Sequence, residues 1–488
     1  MQQETNVSDL KRKTLTNTLW NFVERAGSQI VSFIVQIVLA RILLPEEFGL
    51  IALVTIFITL FDVFVTSGLA TALIQKKTID ELDCSSVFTS NIIISIFLYF
   101  ILFLCAPIVA QFYENEILLP VIRVLGLSLI LSSIKSVQQS IVAKRLQFRL
   151  FFYVTLSGTI VSAVIGIIMA FKGAGVWALV CQYLAKSFVD VCVLFIIMKW
   201  KPKLIISVAR IRPLFNYGWK ILISSFIDAV SQNIRDMIIG KMYSPRDLAY
   251  YNRGKIFPTL VSVDTLTSLE TVLFPIVSSV QDDKSSVKQI IRRFVKDSSY
   301  ILTFLLIVLA IVAKPLVSVV LTDKWLSCVP YLQIFCLSFC LKPLHVANMQ
   351  MIKAVGRSDI TLKVEILKKI VGIPILLIAM KYGVIWIALS TILTDFIVLL
   401  INAYPSTKLI NYSYIEQFRD LSPAYALSVV MAIIIYPISL LQIYDLYIII
   451  VQVISGVLIF TFLSWLFNVN SFFSIKGLLI NFWKSRRL

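Results

Sequence analysis

The sequence predicts an all-α polytopic membrane protein of about fourteen transmembrane helices, built as two six-helix lobes plus two C-terminal helices. Three observations lead there. Hydrophobic residues make up 58% of the chain and charged residues only 15%, against about a quarter charged in ordinary soluble proteins. Apolar segments of about twenty residues, the length a helix needs to cross hydrocarbon, recur from end to end. The stretch Ala40-Arg41-Ile42-Leu43-Leu44-Pro45-Glu46-Glu47-Phe48-Gly49 is echoed by Gly240-Lys241-Met242-Tyr243-Ser244-Pro245-Arg246-Asp247-Leu248-Ala249, an offset of 200 residues (45 to 245).

The first expected helix, 16–41, follows Lys11, Arg12 and Lys13 and closes at Arg41. The second, 46–74, starts past Pro45 and stops before Lys76 and Lys77. The third and fourth, 86–112 and 118–143, flank the acidic turn at Glu114 and Glu116 and lead to Lys144, Arg145 and Arg149. The fifth and sixth, 150–171 and 175–198, are separated by Lys172 and end at Lys199, Lys201 and Lys203. The seventh, 214–240, follows Arg210, Arg212 and Pro213. The eighth, 247–280, starts past Pro245 and precedes Lys284, Lys288, Arg292, Arg293 and Lys296.

The ninth and tenth, 298–321 and 328–352, enclose a loop with Lys314 and Lys324 and lead to Lys353, Arg357 and Lys363. The eleventh and twelfth, 360–380 and 384–404, turn at Lys381 and lead to Lys408 and Arg419. The last pair, 422–441 and 445–468, turns near Asp445 and is followed by Lys476, Lys484, Arg486 and Arg487. Basic residues thus crowd alternate loops, as the positive-inside rule requires of cytoplasmic ones. Both termini are expected in the cytoplasm. The net charge of +18 is then mainly a topology signal, and nucleic acid is not an expected partner.

The echo continues at Ile56/Ile256, Phe57/Phe257, Thr59/Thr259 and Leu69/Leu269. Near offset 210 it reappears at Leu119-Pro120/Val329-Pro330 and Leu127-Ser128/Leu337-Ser338, and Lys172–Trp177 resembles Lys381–Trp386. Six helices per repeat is an even number, so both lobes enter the membrane in the same orientation, related by a pseudo-two-fold axis along its normal. The expected organisation is a cytoplasmic N-terminus 1–13, an N-lobe 14–204, a cytoplasmic inter-lobe linker 205–212 and a C-lobe 213–408. Two additional helices within 409–470 and a basic cytoplasmic C-terminus 471–488 complete it. No n-region, h-region and cleavage site precedes the first helix, so no removed signal peptide is expected.

Repeat-related helices carry polar stripes. Helix one holds Asn21, Arg25, Ser28, Ser32 and Gln36, and helix seven holds Ser225, Asp228, Gln232 and Arg235, each on one helical face. Helix two has Thr55, Thr59, Asp62 and Thr66; helix eight has Lys255, Thr259, Ser262 and Thr265. A single Ser/Thr stripe reads as interhelical glue. Four stripes in matching helices, two with an arginine, favour a shared cavity lining, because a charge in hydrocarbon costs from about 3 to over 10 kcal/mol.

Arg25, Arg235 and Lys255 make that cavity suited to an anion, since guanidinium groups grip phosphate bidentately. Lys135 and Lys342, mid-span in helices four and ten, either add to this potential or pair locally. Asp190 and Asp395, in helices six and twelve, are candidate structural partners. Glu365 with Lys368 and Lys369 has the spacing of a helix-surface salt bridge.

Catalytic signatures are missing. There is no G-x-x-x-x-G-K-[ST] loop, H-E-x-x-H or triad pattern, so a transporter without cofactor is expected rather than an enzyme. The seven cysteines and the lone His345 lack the spacing of a metal site. Drive must then come from H+ or Na+ gradients, membrane potential or substrate consumption.

Leu19-Trp20-Asn21, Gly27, the stretch from Leu39 to Gly49, and Gly68-Leu69-Ala70-Thr71-Ala72-Leu73-Ile74-Gln75-Lys76 resemble the opening of bacterial polysaccharide flippases. These form a branch of the multidrug/oligosaccharidyl-lipid/polysaccharide exporter superfamily. The resemblance implies two six-helix lobes working by alternating access in the bacterial inner membrane. It implies an undecaprenyl-pyrophosphate-linked oligosaccharide as cargo, moved to the outer leaflet for capsule, exopolysaccharide, O-antigen (lipopolysaccharide) or teichuronic-type polymers. Membrane lipids, a polysaccharide polymerase and glycosyltransferases are the implied partners. By helix and face, Arg25 and Arg235 match the basic residues that meet the pyrophosphate, and Asp62, Asp228 and Asp264 are candidates for ion coupling. The rival readings are a multidrug exporter of the same superfamily, which would want an acidic and aromatic cavity, and a membrane polymerase, which would need a longer extramembrane loop than any here.

Overall fold

The computed structural model describes residues 27, 29–145, 147–198, 200–441 and 443–485. Regular structure among them is helical throughout: α1 Gln29–Ile42, α2 Pro45–Thr66, α3 Leu69–Gln75, α4 Glu81–Phe112, α5 Leu118–Leu125, α6 Leu127–Lys144, α7 Phe148–Phe171, α8 Val176–Ile197 and α9 Val208–Met242 come first. They are followed by α10 Pro245–Ser278, α11 Lys284–Ile311, α12 Ala313–Leu321, α13 Val329–Phe339, α14 Lys342–Ala354, α15 Ser358–Ala379, α16 Val384–Leu409, α17 Tyr414–Ile435, α18 Asp445–Leu466 and α19 Asn470–Ser485. Short 3-10 turns lie at Asp323–Cys328 and Tyr436–Leu440.

Among the described residues, ten helices are long and apolar enough to cross a membrane. The count is eleven if the pair Asp323–Phe339 and Lys342–Ala354, bent by 40°, is one broken span. Three of the fourteen expected spans fall outside this set. Of the first, only residue 27 and the part from Gln29 on are described, as a shorter apolar helix. The seventh and eleventh, α9 and α15, are helical but carry many charges: Arg210, Arg212, Lys220, Asp228, Arg235, Asp236 and Lys241 on one, Asp359, Lys363, Glu365, Lys368 and Lys369 on the other.

Helix starts follow from the sequence. Pro45 opens α2 with its ring already set for the first turn, and Glu47 Oε2 accepts the Leu44 N–H at 2.7 Å. At the echoed turn the chemistry differs: Ser244 Oγ accepts the Asp247 N–H at 3.1 Å ahead of Pro245. Asp80 caps α4, taking the Asp83 N–H at 2.7 Å, and that backbone hydrogen bond holds its carboxyl below the ordinary range. Asp283 caps α11 and is held at about 2 by hydrogen bonds from Ser286 and Ser285.

The chain divides into two compact units, Met1–Ala249 and Tyr250–Leu488. The boundary falls inside the first turns of α10, so α9 packs within the first unit although the repeat pattern makes it the opening helix of the second lobe. Phe226 of α9 lies against Phe64 of α2, ring centroids 5.3 Å apart, and Tyr113 Oη donates to the Met237 carbonyl at 3.5 Å. The two echoed turns also meet. A Cβ on Gly49 would lie 1.7 Å from the Pro245 carbonyl oxygen, so only glycine allows this approach.

In the second unit, the two helices past the repeat are bound to α11. Arg292 holds the buried Asp420 of α17 through Nε at 2.7 Å and Nη2 at 2.9 Å, Lys296 approaches it at 3.2 Å, and Tyr412 Oη donates to it at 2.9 Å. Lys288 pairs with Glu416 at 2.9 Å. Further along α11, Tyr300 donates to Ser464 of α18 at 2.6 Å. Ion pairs thus anchor α17 at one end, and a buried hydrogen bond ties in α18.

Gly49→Ala is expected to destabilise the protein by about 1–3 kcal/mol, because the intruding methyl meets backbone that cannot swing aside. Thermal unfolding of the detergent-purified variant checks this, and an unchanged melting temperature would show that the close approach is dispensable.

Candidate functional site

In the first unit a charged constellation forms where α2, α6, α7 and α8 converge. Asp190 of α8 is buried, and Lys135 Nζ of α6 reaches its Oδ2 at 3.3 Å. The side chains are only 18% and 10% exposed, so neither charge has bulk water as its main partner. Close packing by α7 makes this geometry possible: a Cβ on Gly158 would lie 2.0 Å from Asp190 Oδ1. Eight residues on, Gly166 lies against Gln182 of α8, and the buried Ser162 falls between the two glycines. The spacing Gly158-x3-Ser162-x3-Gly166 is the small-residue pattern that lets membrane helices approach.

Asp190 Oδ1 itself is buried without a hydrogen-bond partner among the described residues. Asp62 of α2 has Lys135 as a charged neighbour. Near it, Thr59 donates to the Thr55 carbonyl at 2.8 Å and Thr66 to the Asp62 carbonyl at 2.9 Å. This is the usual back-bonding of helical threonines.

The second unit has a related arrangement. Lys342 of α14 sits 3.1 Å above the centre of the Phe339 ring, with Asp395 of α16 as acidic neighbour and Lys255 of α10 as basic neighbour. Ser338 Oγ donates a hydrogen bond to Asp395. From this point polar contacts continue along α14 and α16. His345 Nδ1 meets Asn402 Nδ2 at 3.0 Å, and Asn348 accepts from Ser406 at 2.6 Å and donates to Gln417 at 3.1 Å. Gln417 donates to the Tyr412 carbonyl at 3.0 Å, next to the Asp420 cluster.

The expected site residues are distributed as follows. Asn21, Arg25 and Ser28 lie outside the described residues, as does the side chain of Asp264. Ser32 and Gln36 are half-buried on α1, and Asp228 and Gln232 are exposed on α9. Arg235 is half-buried, and its Nε is enclosed with no hydrogen-bond partner among the described residues. Thr59 is exposed, Thr259 donates to the Lys255 carbonyl at 2.7 Å, and Ser262 is fully buried. Lys135 and Lys342 are engaged locally, the first by a carboxylate and the second by an aromatic face beside one. The surface pair between Lys368 and Glu365 closes at 2.8 Å. No group of three metal-ligating side chains occurs among the described residues.

Sequence reading missed three features. Arg123 of α5 stacks on Phe103 at 4.0 Å with its Nε enclosed and unpartnered among the described residues. The glycine stripe of α7 was visible as a four-residue spacing. The Asn348–Ser406–Gln417 chain was signalled only by amides within apolar spans.

These are the features of a helical membrane transporter. The backbone is similar to that of the solved lipid II flippase MurJ in its inward closed conformation, with a TM-score of 0.73 over 92% of this chain and 98% of that one. The two are 16% identical, so the likeness is one of fold. The family model described as "Polysaccharide biosynthesis protein" matches residues 38–330, and the chain belongs to that family. Similar relatives include the lipopolysaccharide biosynthesis protein WzxC of Escherichia coli (strain K12), 22% identical over 88% of each chain. The teichuronic acid biosynthesis protein TuaB of Bacillus subtilis (strain 168) is 24% identical over 60% of this chain and 61% of its own.

Lys135→Met alone leaves Asp190 buried without its cation and should cost about 3–5 kcal/mol, whereas Lys135→Met with Asp190→Asn should recover most of the loss. A double-mutant cycle on thermal unfolding measures the coupling; additive losses would show that the two charges do not depend on each other.

Proposed function

We propose that this chain is a flippase for lipid-linked oligosaccharides in polysaccharide biosynthesis. It moves undecaprenyl-pyrophosphate-linked repeat units from the inner to the outer leaflet of the bacterial cytoplasmic membrane by alternating access. The polymers served are of the capsule, exopolysaccharide, O-antigen or teichuronic type. Family membership together with the flippase fold supports this reading, as do relatives named for lipopolysaccharide and teichuronic acid biosynthesis. Fourteen helices in two like-oriented sets of six plus two, with cytoplasmic termini, fit the alternation of basic loops.

The observation that carries the site is the enclosed Nε of Arg235, which has no hydrogen-bond partner among the described residues. An enclosed guanidinium nitrogen is costly unless an acceptor visits it. Pyrophosphate offers oxygens in the geometry that a guanidinium fork binds. In the proposed site Arg235 and Arg25 grip the pyrophosphate, and Ser32, Gln36, Asp228 and Gln232 offer polar contacts to the sugar. Membrane potential assists export of such a headgroup from a negative interior, by about 2.3 kcal/mol per charge per 100 mV.

Deletion of the gene should trap a lipid-linked oligosaccharide on the cytoplasmic leaflet, and Arg235→Ala should fail to relieve it while still reaching the membrane. Extraction of the lipid fraction and immunoblotting of membranes check both. Normal polymer export by Arg235→Ala would remove Arg235 from the site, and absence of any accumulated intermediate would overturn the flippase reading.

A further inference from the structure

Arg123 is a cation inside a membrane span that the protein leaves without an acceptor. It belongs to α5, the first part of the span Leu118–Lys144, five residues past its start. Its guanidinium carbon stands 4.0 Å above the centre of the Phe103 ring of α4. Among the described residues no carboxylate pairs with it and no acceptor takes any of its N–H groups. A ring face attracts a cation by about 0.5–2 kcal/mol, but it does not replace the hydrogen bonds that the N–H groups made to water. Lys135, by contrast, has the Asp190 carboxylate at 3.3 Å.

The place of the side chain is set by close packing. Gly126 joins α5 to α6, and a Cβ there would lie 3.1 Å from the Leu102 side chain and 3.2 Å from the Tyr99 ring, both of α4. That approach brings Arg123 onto Phe103, which in turn lies beside Tyr99 with ring centroids 6.1 Å apart. Only the Nε is enclosed, so the two Nη groups remain open. Around them the surface is apolar and exposed: Phe100 at 58%, Leu104 at 55% and, one turn on from Arg123, Leu127 at 40%.

Depth points the same way. At 1.5 Å per residue the span is about 40 Å long, the thickness of a bilayer with its headgroups, and Arg123 lies about 7–8 Å from one end. That is the boundary between headgroups and hydrocarbon, in the outer leaflet on the topology that the basic loops predict.

We propose that Arg123 and Phe103 form a binding site for the phosphate of an anionic phospholipid on the lipid-facing side of α4 and α5. The ring holds the guanidinium flat, the open Nη groups donate to two phosphate oxygens, and the acyl chains lie along Phe100, Leu104 and Leu127. A guanidinium fork matches two oxygens of one phosphate. Phosphatidylethanolamine carries its own ammonium beside the phosphate, whereas phosphatidylglycerol leaves the negative charge uncompensated. Pyrophosphate-linked cargo offers the same oxygens, but the exposed apolar walls favour the bulk lipid that is always against them. The inference does not rest on the flippase reading.

The test titrates the detergent-purified full chain with phosphatidylglycerol and counts bound lipid by native mass spectrometry, with phosphatidylcholine in a parallel series. The wild type should hold one phosphatidylglycerol more tightly than the rest and show no such preference for phosphatidylcholine. Arg123→Met should weaken that first binding about tenfold, the worth of one charge-assisted hydrogen bond. Arg123→Lys keeps a cation that can reach a headgroup by snorkelling but loses the fork, and Phe103→Leu removes the ring without touching the charge. Both should weaken the first binding as well, and they carry the test should Arg123→Met not fold. Equal affinity in the wild type and Arg123→Met would overturn the proposal. So would unchanged binding in both Arg123→Lys and Phe103→Leu, because a snorkelling cation needs neither fork nor ring. Tight binding of undecaprenyl pyrophosphate that phosphatidylglycerol cannot displace would assign the site to cargo and overturn the phospholipid.

Discussion

A charged side chain inside hydrocarbon must find a counter-charge, a π-face or water, and the interior of this protein is organised by that requirement. Lys135 has a carboxylate, Lys342 has the Phe339 ring with Asp395 beside it, and Arg123 has the Phe103 ring. Each solution fixes the approach of two helices. Asp190 can reach Lys135 only because α7 offers glycine at position 158, where any side chain would occupy the space of Oδ1. The pair and the small-residue stripe are therefore one device, in which backbone proximity supplies the burial that strengthens the pair.

The same requirement explains how the terminal helices are held. Helix α17 is clamped at its start by Asp420, which takes both arms of Arg292, the ammonium of Lys296 and the Tyr412 hydroxyl. Breaking such a pair leaves an uncompensated buried charge, a loss of about 3–5 kcal/mol. From Asp420 a run of amides and hydroxyls extends through Gln417, Asn348 and Ser406. With His345 and Asn402 these contacts line the facing sides of α14 and α16. Movement of α14 against α16 would have to break contacts that also hold α17.

Helix positions were legible in the sequence because apolar length and basic punctuation are local properties. The opening motif was also enough to point to the polysaccharide-biosynthesis family. Side-chain partners were harder to read. Lys135 and Asp190 are 55 residues apart, and helical periodicity gives the face of a residue without saying which helix it meets. The lysine was accordingly read either as part of an anion-binding surface or as locally paired, and only the convergence of α6 and α8 chooses between these. The placement of α9 in the first unit was hidden as well, because a repeat records ancestry while packing follows contacts such as Phe64–Phe226.

The two lysine–aspartate arrangements lie in corresponding helices of the repeat, yet their surroundings differ in sign. In the first unit the extra member is an acid, Asp62; in the second it is a base, Lys255. An acid beside a pair creates a place for a proton or another cation. A base beside a pair leaves positive potential that no nearby carboxylate cancels, which suits an anionic headgroup. The duplicated element thus carries an extra charge of opposite sign in each copy, while both lysines stay locally engaged.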